Sequence, residues 1–215
     1  VQFVNDEQAQ AAQANWHDAS PFLGLSAYSP AESKVFFGRN ALTRELITRI
    51  STQFKQHRPF TLVMGPSGSG KSSLVHAGLL PRILDTKGTN GIRAYDYVSI
   101  DVADINLAAN GFTNLLNELA ANMLDWGNDE KGVFDGFSAQ SLTDALLNQP
   151  EEIINHIKKT FSEAITDNNT AGVNVPYPCF AIVIDRLEAL LAHSAVSENE
   201  KQKIFALLET LSESN

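Results

Sequence analysis

Apolar residues recur at helical spacing in several stretches of the chain. The first stripe has members three and four residues apart: Leu42, Leu46, Ile47, Ile50 and Phe54. A second stripe has similar spacing: Phe112, Leu115, Leu116, Leu119 and Met123. Each pattern predicts an amphipathic helix with one buried face. Asn40 is predicted to cap the first of them. Further helices are predicted at 141–148, after Pro150, and after Ser197, which forms a capping-box pair with Glu200.

Other stretches have the composition of β-strands. Residues 92–101 are predicted to be a strand, and Cys179 to Asp185 form a continuous β-prone run. A run of this kind is typical of a strand buried on both faces, as in a parallel sheet. A third apolar run covers residues 60–64. Strands that alternate with helices predict an α/β domain of three layers, with a parallel sheet between helices.

The run at 60–64 leads into a glycine-rich stretch with the spacing of a phosphate loop, Gly65-Pro66-Ser67-Gly68-Ser69-Gly70-Lys71-Ser72. A helix is predicted to follow it and to stop at Pro81. Gly68 and Gly70 allow the backbone to curl and to turn its N–H groups inward. Lys71 is expected to reach the β- and γ-phosphates, with a role in catalysis, and the Ser72 hydroxyl to bind Mg²⁺. The alternative is a glycine-serine turn that binds nothing.

An acidic residue closes the strand that begins at Cys179. Asp185 is expected to hold Mg²⁺ through water, or else to cap the next turn. Glu188 is a candidate to orient or deprotonate an attacking water, and the alternative is a solvated helix glutamate. Arg186 is a candidate partner for Asp185. Cys179 itself is interpreted as a small buried hydrophobe.

Composition and charge argue against some classes of binding partner. The chain has 215 residues and a net charge of −9, which argues against an extensive nucleic-acid interface. No apolar run approaches the roughly 18 residues that span a bilayer, so no membrane partner is expected. The one cysteine excludes an internal disulfide and favours the cytoplasm. Residues 1–19, rich in Ala and Gln, are predicted to be a linker from an upstream domain, and residues 20–215 to be the domain that contains the glycine-rich loop.

Three blocks of the chain resemble the novel STAND NTPases, bacterial signal-transduction ATPases with numerous domains. The blocks are 20–25 with 36–39, then 65–81, then 182–191. The second is the most specific, because Ala77-Gly78-Leu79-Leu80-Pro81 extends beyond a generic phosphate loop. The chain departs from the family at His76, where Arg is usual, at Asn40, where an acid is common, and at Arg186-Leu187-Glu188-Ala189, where Gln-Phe-Glu-Glu is usual.

The resemblance implies a nucleotide-controlled switch with ATP and Mg²⁺ as cofactors. In such proteins the ATPase core joins an effector domain to a sensor region and controls self-assembly in signalling or defence. The resemblance extends the nucleotide-binding set to ten positions: Gly38, Arg39, Pro66, Ser67, Gly68, Ser69, Gly70, Lys71, Ser72 and Ser73. Gly38 and Arg39 belong to the segment that borders the adenine in related ATPases.

The resemblance also places a sensor strand after residue 215. We therefore expect residues 20–215 to form an incomplete NTPase domain that is truncated before that strand. The intact protein is expected to hydrolyse ATP, and this chain alone is expected to show little or no turnover. ATP is preferred to GTP by resemblance, since no guanine-reading Asn-Lys-x-Asp motif occurs. Two alternatives stay open: a nucleotide-kinase-like phosphotransferase, and a non-hydrolysing scaffold for protein partners.

Overall fold

The computed structural model of the chain describes residue 24 and residues 26–127, 132–170 and 177–212, and the side chains of these residues except at 161–170, 177 and 178. The predicted linker at 1–19 lies outside them. The chain divides into two compact units, with the boundary between Ile92 and Arg93. Among the described residues, no helix combines the length and the apolarity needed to cross a membrane.

The first unit is helical. A short 3-10 helix, Pro30–Val35, precedes helix α1, Asn40–Lys55. Helix α2 consists of three consecutive stretches: α-helical Lys71–Ser73, π-helical Leu74–Leu79 and α-helical Leu80–Ile83. The glycine-rich loop lies immediately before α2, so the motif and the helix that follows it form one continuous piece of structure.

The buried face of α1 differs in part from the predicted stripe. Leu46 and Ile47 are buried as predicted, but Leu42 is 45% exposed and its neighbour Thr43 is fully buried. The helix has therefore turned its inward face toward Thr43. The predicted cap is also wrong, because α1 begins at Asn40 itself and makes no side-chain capping bond.

The apolar run at 60–64 is not a strand, contrary to the prediction. Phe60, Leu62 and Met64 are 49%, 58% and 81% exposed, whereas Thr61 and Val63 between them are half-buried. The Thr61 hydroxyl donates to the Gln53 side chain of α1. A strand exists only through backbone hydrogen bonds to a neighbouring strand, and this run has none within the described part of the chain.

Helix α2 continues past Pro81, where the sequence predicted its end. Proline lacks an N–H and its ring clashes with the carbonyl four residues earlier in a regular α-helix. The preceding stretch Leu74–Leu79 is π-helical, and the Leu80 N–H donates to Val75 O, five residues back. The wider turn lets the chain pass Pro81 and continue to Ile83.

The second unit contains the sheet. Strand β1, Ile92–Asp101, and strand β2, Tyr177–Asp185, are neighbours, and both were predicted. The Cys179 thiol donates to Arg93 O near the two strand starts, at 3.4 Å, and the Arg186 side chain contacts Asp101 at the two strand ends. The strands therefore run parallel, and the chain is a mixed α/β protein with a small parallel sheet.

Five helices accompany this sheet in the described residues: α3 Gly111–Met123, α4 Ala139–Asn148, α5 Pro150–Thr170, α6 Leu187–Ala192 and α7 Glu198–Ser212. All five apolar residues predicted on α3 are buried. Pro150 is the first residue of α5, as predicted, and the helix extends to Thr170. The Ser197–Glu200 capping box is confirmed, with the Glu200 N–H donating to Ser197 Oγ at 3.3 Å.

Strand β2 is half-buried along Cys179–Asp185 rather than buried on both faces as predicted. Phe180, Ile182 and Ile184 pack against the core from one side. The Phe180 ring stacks on the buried Trp126 ring with centroids 4.2 Å apart and planes 4° from parallel. The core of the second unit thus packs on this face of the sheet and includes residues of all five helices, α3 to α7.

Candidate functional site

The glycine-rich loop has the curled backbone that its sequence predicted. Gly68 and Gly70 have φ values of 73° and 81°, in the left-handed region that favours glycine. The Ser69 N–H donates to Pro66 O at 3.2 Å, which closes the turn. The N–H groups of Gly68 and Gly70 donate to no acceptor among the described residues. The loop therefore presents unpaired N–H donors directly before a helix, which is where anions bind.

The Lys71 side chain folds back across this loop. Its Nζ donates to Gly65 O at 3.0 Å and to Pro66 O at 3.1 Å. Gly65 is suited to the contact, because a β-carbon there would lie 3.0 Å from Ser69 Oγ and 3.7 Å from Lys71 Cδ. The ammonium group is thus held over the first residues of the loop, where it can reach the phosphates of a ligand.

The two serines after Lys71 have different surroundings. Ser72 is half-buried, and its hydroxyl makes no hydrogen bond with the described residues. Ser73 is 9% exposed, and its hydroxyl accepts a hydrogen bond from the Tyr28 N–H at 3.1 Å. Ser72 is consequently the hydroxyl available to a metal ion, and the Ser73 hydroxyl attaches α2 to the segment before the 3-10 helix.

Arg39 and Gly38 precede α1 in the same unit. Gly38 is exposed with φ 78°, and a β-carbon there would meet nothing within 4 Å. Arg39 reaches the loop, since a β-carbon at Gly70 would lie 3.7 Å from Arg39 Nη2. The first unit therefore brings Arg39 to the phosphate loop.

Helix α2 is attached to α1 by a close contact and by an arginine. Gly78 packs on Thr43, and the Arg82 guanidinium donates to Gly78 O and, at 3.0 Å, to Asn40 Oδ1. Partial burial, with Arg44 as a second nearby cation, lowers the pKa of Arg82 below its ordinary value. Asn40, where the family commonly has an acid, thus serves as a neutral acceptor for Arg82.

In the second unit, Asp185 closes β2 next to an arginine with an unusual backbone. Arg186 has φ 52° and ψ 37°, and its N–H donates to Asp185 Oδ1 at 2.9 Å. Its guanidinium pairs with Asp101 and Asp104 rather than with the Asp185 carboxylate. The hydrogen bond to Asp101 and the charges of both aspartates raise the pKa of Arg186 above its ordinary value. Asp185 Oδ2 accepts no hydrogen bond within the described residues.

Glu188 lies exposed in the first turn of α6, and its carboxylate forms no hydrogen bond or ion pair with the other described residues. The described side chains contain no group of three or more His, Cys, Asp and Glu residues that could hold a metal ion. A Mg²⁺ ion in a nucleotide site needs no such group, because it takes one or two protein ligands together with phosphate oxygens and water. Ser72 and Asp185 have the hard oxygen ligands that Mg²⁺ prefers.

Three residues that make structural contacts at these positions were not predicted from the sequence. Asp101 and Asp104 anchor Arg186, and the Tyr28 N–H binds Ser73. A signal for Asp101 existed: it ends a predicted strand, and the carboxyl ends of neighbouring parallel strands meet at one edge of a sheet. No sequence pattern predicts the Tyr28 contact, because its donor is a backbone N–H rather than a side chain.

The family comparison agrees with these features. The family model for Novel STAND NTPase 1 matches residues 21–215, which is nearly the whole chain. Neither the curated proteins nor the solved structures contain a match. The matched range includes the loop, both strands, Asp185 and Glu188. The chain therefore belongs to the Novel STAND NTPase 1 family.

Proposed function

We propose that this chain is the ATP·Mg²⁺-binding module of a STAND-type NTPase, a nucleotide-controlled switch. One observation carries the proposal: the unpaired N–H groups of Gly68 and Gly70 stand at a helix start while Lys71 Nζ lies across the same loop. Backbone N–H groups and one ammonium in this arrangement suit a polyphosphate.

The proposal assigns a role to each residue of the candidate site. The segment from Pro66 to Ser73 binds the phosphates, Lys71 neutralises their charge, and Gly38 and Arg39 complete the nucleotide contacts. Ser72 would be a Mg²⁺ ligand, and Asp185 would serve Mg²⁺ through water. When bound, the ion would neutralise phosphate charge during hydrolysis. Glu188, which is exposed and unpaired among the described residues, is the proposed residue that orients the attacking water.

The wider architecture is part of the same proposal. The small parallel sheet is proposed to belong to a three-layer phosphate-loop NTPase fold. The intact protein is proposed to be a cytoplasmic ATPase that couples effector and sensor domains in bacterial signalling or defence and that self-assembles. Membership of the family supports these statements.

Calorimetric titration of ATP·Mg²⁺ and of GTP·Mg²⁺ into the chain tests the proposal. We expect the chain to bind ATP·Mg²⁺ more tightly than GTP·Mg²⁺. Lys71→Ala should abolish the binding, because it removes the cation from the loop while leaving the backbone turn intact. Lys55→Ala is the matched control, since it removes an exposed lysine from the last turn of α1 in the same unit.

Retained ATP binding in Lys71→Ala would contradict the phosphate-loop assignment. Absence of nucleotide binding by the unmodified chain would contradict the proposed function as a whole. Binding that is lost in Lys55→Ala and Lys71→Ala alike would show that net charge, rather than the loop, attracts the nucleotide.

A further inference from the structure

The backbone of Arg39 is held in place at the entry to α1. Its carbonyl accepts hydrogen bonds from the Thr43 N–H at 2.9 Å and from Thr43 Oγ1 at 3.0 Å. Thr43 is itself fully buried against α2. The backbone of Arg39 is therefore held by Thr43, the residue that packs against α2, the helix after the phosphate loop.

The guanidinium of Arg39 lies against the last residue of that loop. A β-carbon on Gly70 would lie 3.7 Å from Nη2 and 3.9 Å from Cζ. Gly70 directly precedes Lys71 and is one of the two residues whose N–H groups are unpaired. The glycine keeps this approach open, because it has no side chain between the guanidinium and the backbone.

Three other arginines of the chain have polar partners for their guanidinium groups. Arg49 pairs with Glu45, Arg82 donates to Gly78 and Asn40, and Arg186 pairs with two aspartates. The Arg39 guanidinium forms no hydrogen bond or ion pair with the described residues. It is a cation available to a ligand, and it lies against Gly70, whose N–H is unpaired among the described residues.

We propose that Arg39 is a second phosphate-binding cation of this site and contacts the polyphosphate of the nucleotide rather than its base. The inference rests on the proposed function and deepens it. A guanidinium offers a planar fork of N–H donors that matches two phosphate oxygens at once, whereas the Lys71 ammonium acts as a point charge. Together the two side chains favour ligands with at least two linked phosphates.

The test compares ligands that share the phosphates but not the base. ATP, ADP, GTP and inorganic pyrophosphate, each with Mg²⁺, are titrated into the unmodified chain, Arg39→Gln and Arg39→Lys. We expect Arg39→Gln to weaken all four by about tenfold or more and to leave the ATP-to-GTP affinity ratio unchanged. Arg39→Lys should recover part of the loss, since it restores the charge but not the fork.

Arg44→Gln is the matched control, because it removes an exposed arginine of α1 in the same unit. It should change each affinity by less than about twofold. An unchanged pyrophosphate affinity in Arg39→Gln with an altered ATP-to-GTP ratio would overturn the inference in favour of a base contact. Equal losses in Arg39→Gln and Arg44→Gln would also overturn it.

The two proposals fail in different ways. If Lys71→Ala abolishes ATP binding while Arg39→Gln binds all four ligands as the unmodified chain does, the inference falls and the proposed function stands. If the unmodified chain binds none of the four, both fall. Far-UV circular dichroism of each variant should match that of the unmodified chain, since the Arg39 guanidinium forms no hydrogen bond or ion pair within the described residues.

Discussion

Gly78 and Thr43 touch so closely that a β-carbon on Gly78 would lie 2.8 Å from Thr43 Oγ1. Both residues are buried, and Thr43 also donates from Oγ1 to Arg39 O. This one contact therefore sets the distance between α1 and α2 and holds the entry to α1. The contact explains why residue 78 is a glycine. This glycine belongs to the Ala77-Gly78-Leu79 segment, which extends the motif beyond a generic phosphate loop.

Gly78→Ala should destabilise the chain, because the added methyl group would overlap with the Thr43 hydroxyl. Overpacking of this kind costs about 1–3 kcal/mol. The substitution favours the helix itself by up to about 1 kcal/mol, so the net loss should fall at the lower end of that range. Urea unfolding followed by far-UV circular dichroism measures it.

A double-mutant cycle with Thr43→Ala supplies the control. Thr43→Ala removes the atom that clashes, so the double variant should be more stable than the sum of the two single losses predicts. Strict additivity of the two substitutions would show that Gly78 and Thr43 do not interact.

Cys179 should be nearly inert to alkylation in the folded chain. Burial raises the pKa of its thiol from an ordinary 9.0 to about 12, and the thiolate is the reactive form. At pH 8 we expect iodoacetamide to modify the native chain at least about a hundredfold more slowly than the urea-unfolded chain. Since Cys179 is the one cysteine, intact-mass spectrometry reports this site alone.

The same shift sets an alkaline limit on stability. A thiol whose folded pKa is raised stabilises the fold fully below its ordinary pKa and loses that contribution as the pH rises from about 9 toward 12. Cys179→Ala should remove this part of the alkaline pH dependence. Equal alkylation rates in the native and unfolded chains would contradict the raised pKa of the Cys179 thiol.

Glu200 should make the start of α7 sensitive to acid. The side chain and backbone of Ser197 donate to its carboxylate and lower its pKa below the ordinary 4.5. A depressed folded pKa contributes stability above the ordinary value, and that contribution is lost as the pH falls through the folded value. Amide hydrogen exchange in the first turn of α7 should therefore accelerate relative to the helix centre below about pH 4.5.

Carboxyl NMR titration of Glu200 measures the shift directly. Glu209→Gln, in the last turn of α7, is the control and should leave the exchange at the helix start unchanged. A Glu200 pKa at or above 4.5 would contradict the capping-box bond.

Phe180→Ala should weaken the second unit by removing the ring that stacks on Trp126. Truncating a core phenylalanine costs about 3–5 kcal/mol, and Phe180 is partly buried, so we expect roughly 2–3 kcal/mol. Urea unfolding monitored by Trp126 fluorescence in a Trp16→Phe background measures it.

Phe205→Ala is the control for this truncation. Phe205 is 42% exposed on α7, and its removal should change the unfolding free energy by less than about 1 kcal/mol. Equal losses for Phe180→Ala and Phe205→Ala would show that the ring stack contributes nothing specific.

Local patterns predicted much of the secondary structure. Strand β1, the helix after Pro150 and the Ser197–Glu200 cap follow from residue order alone, because dihedral preference and hydrophobic period act over a few residues. The curl of the phosphate loop also follows from residue order alone. Gly68 and Gly70 both have positive φ, as the motif required.

The errors concern contacts between distant residues. Residues 60–64 have the composition of a strand but no strand to pair with in the described part of the chain. Leu42 is exposed because the Gly78–Thr43 contact determines which face of α1 points inward.

The sequence by itself thus determined the amphipathic pattern of α3, the second-unit strands and the curl of the phosphate loop. The tertiary structure alone decided that Arg186 pairs with Asp101, 85 residues away, and that Arg39 lies against Gly70. The physical reason is the range of the interactions. Backbone preferences are set by near neighbours, whereas the partner of a charged side chain depends on which parts of the chain the packed core brings together.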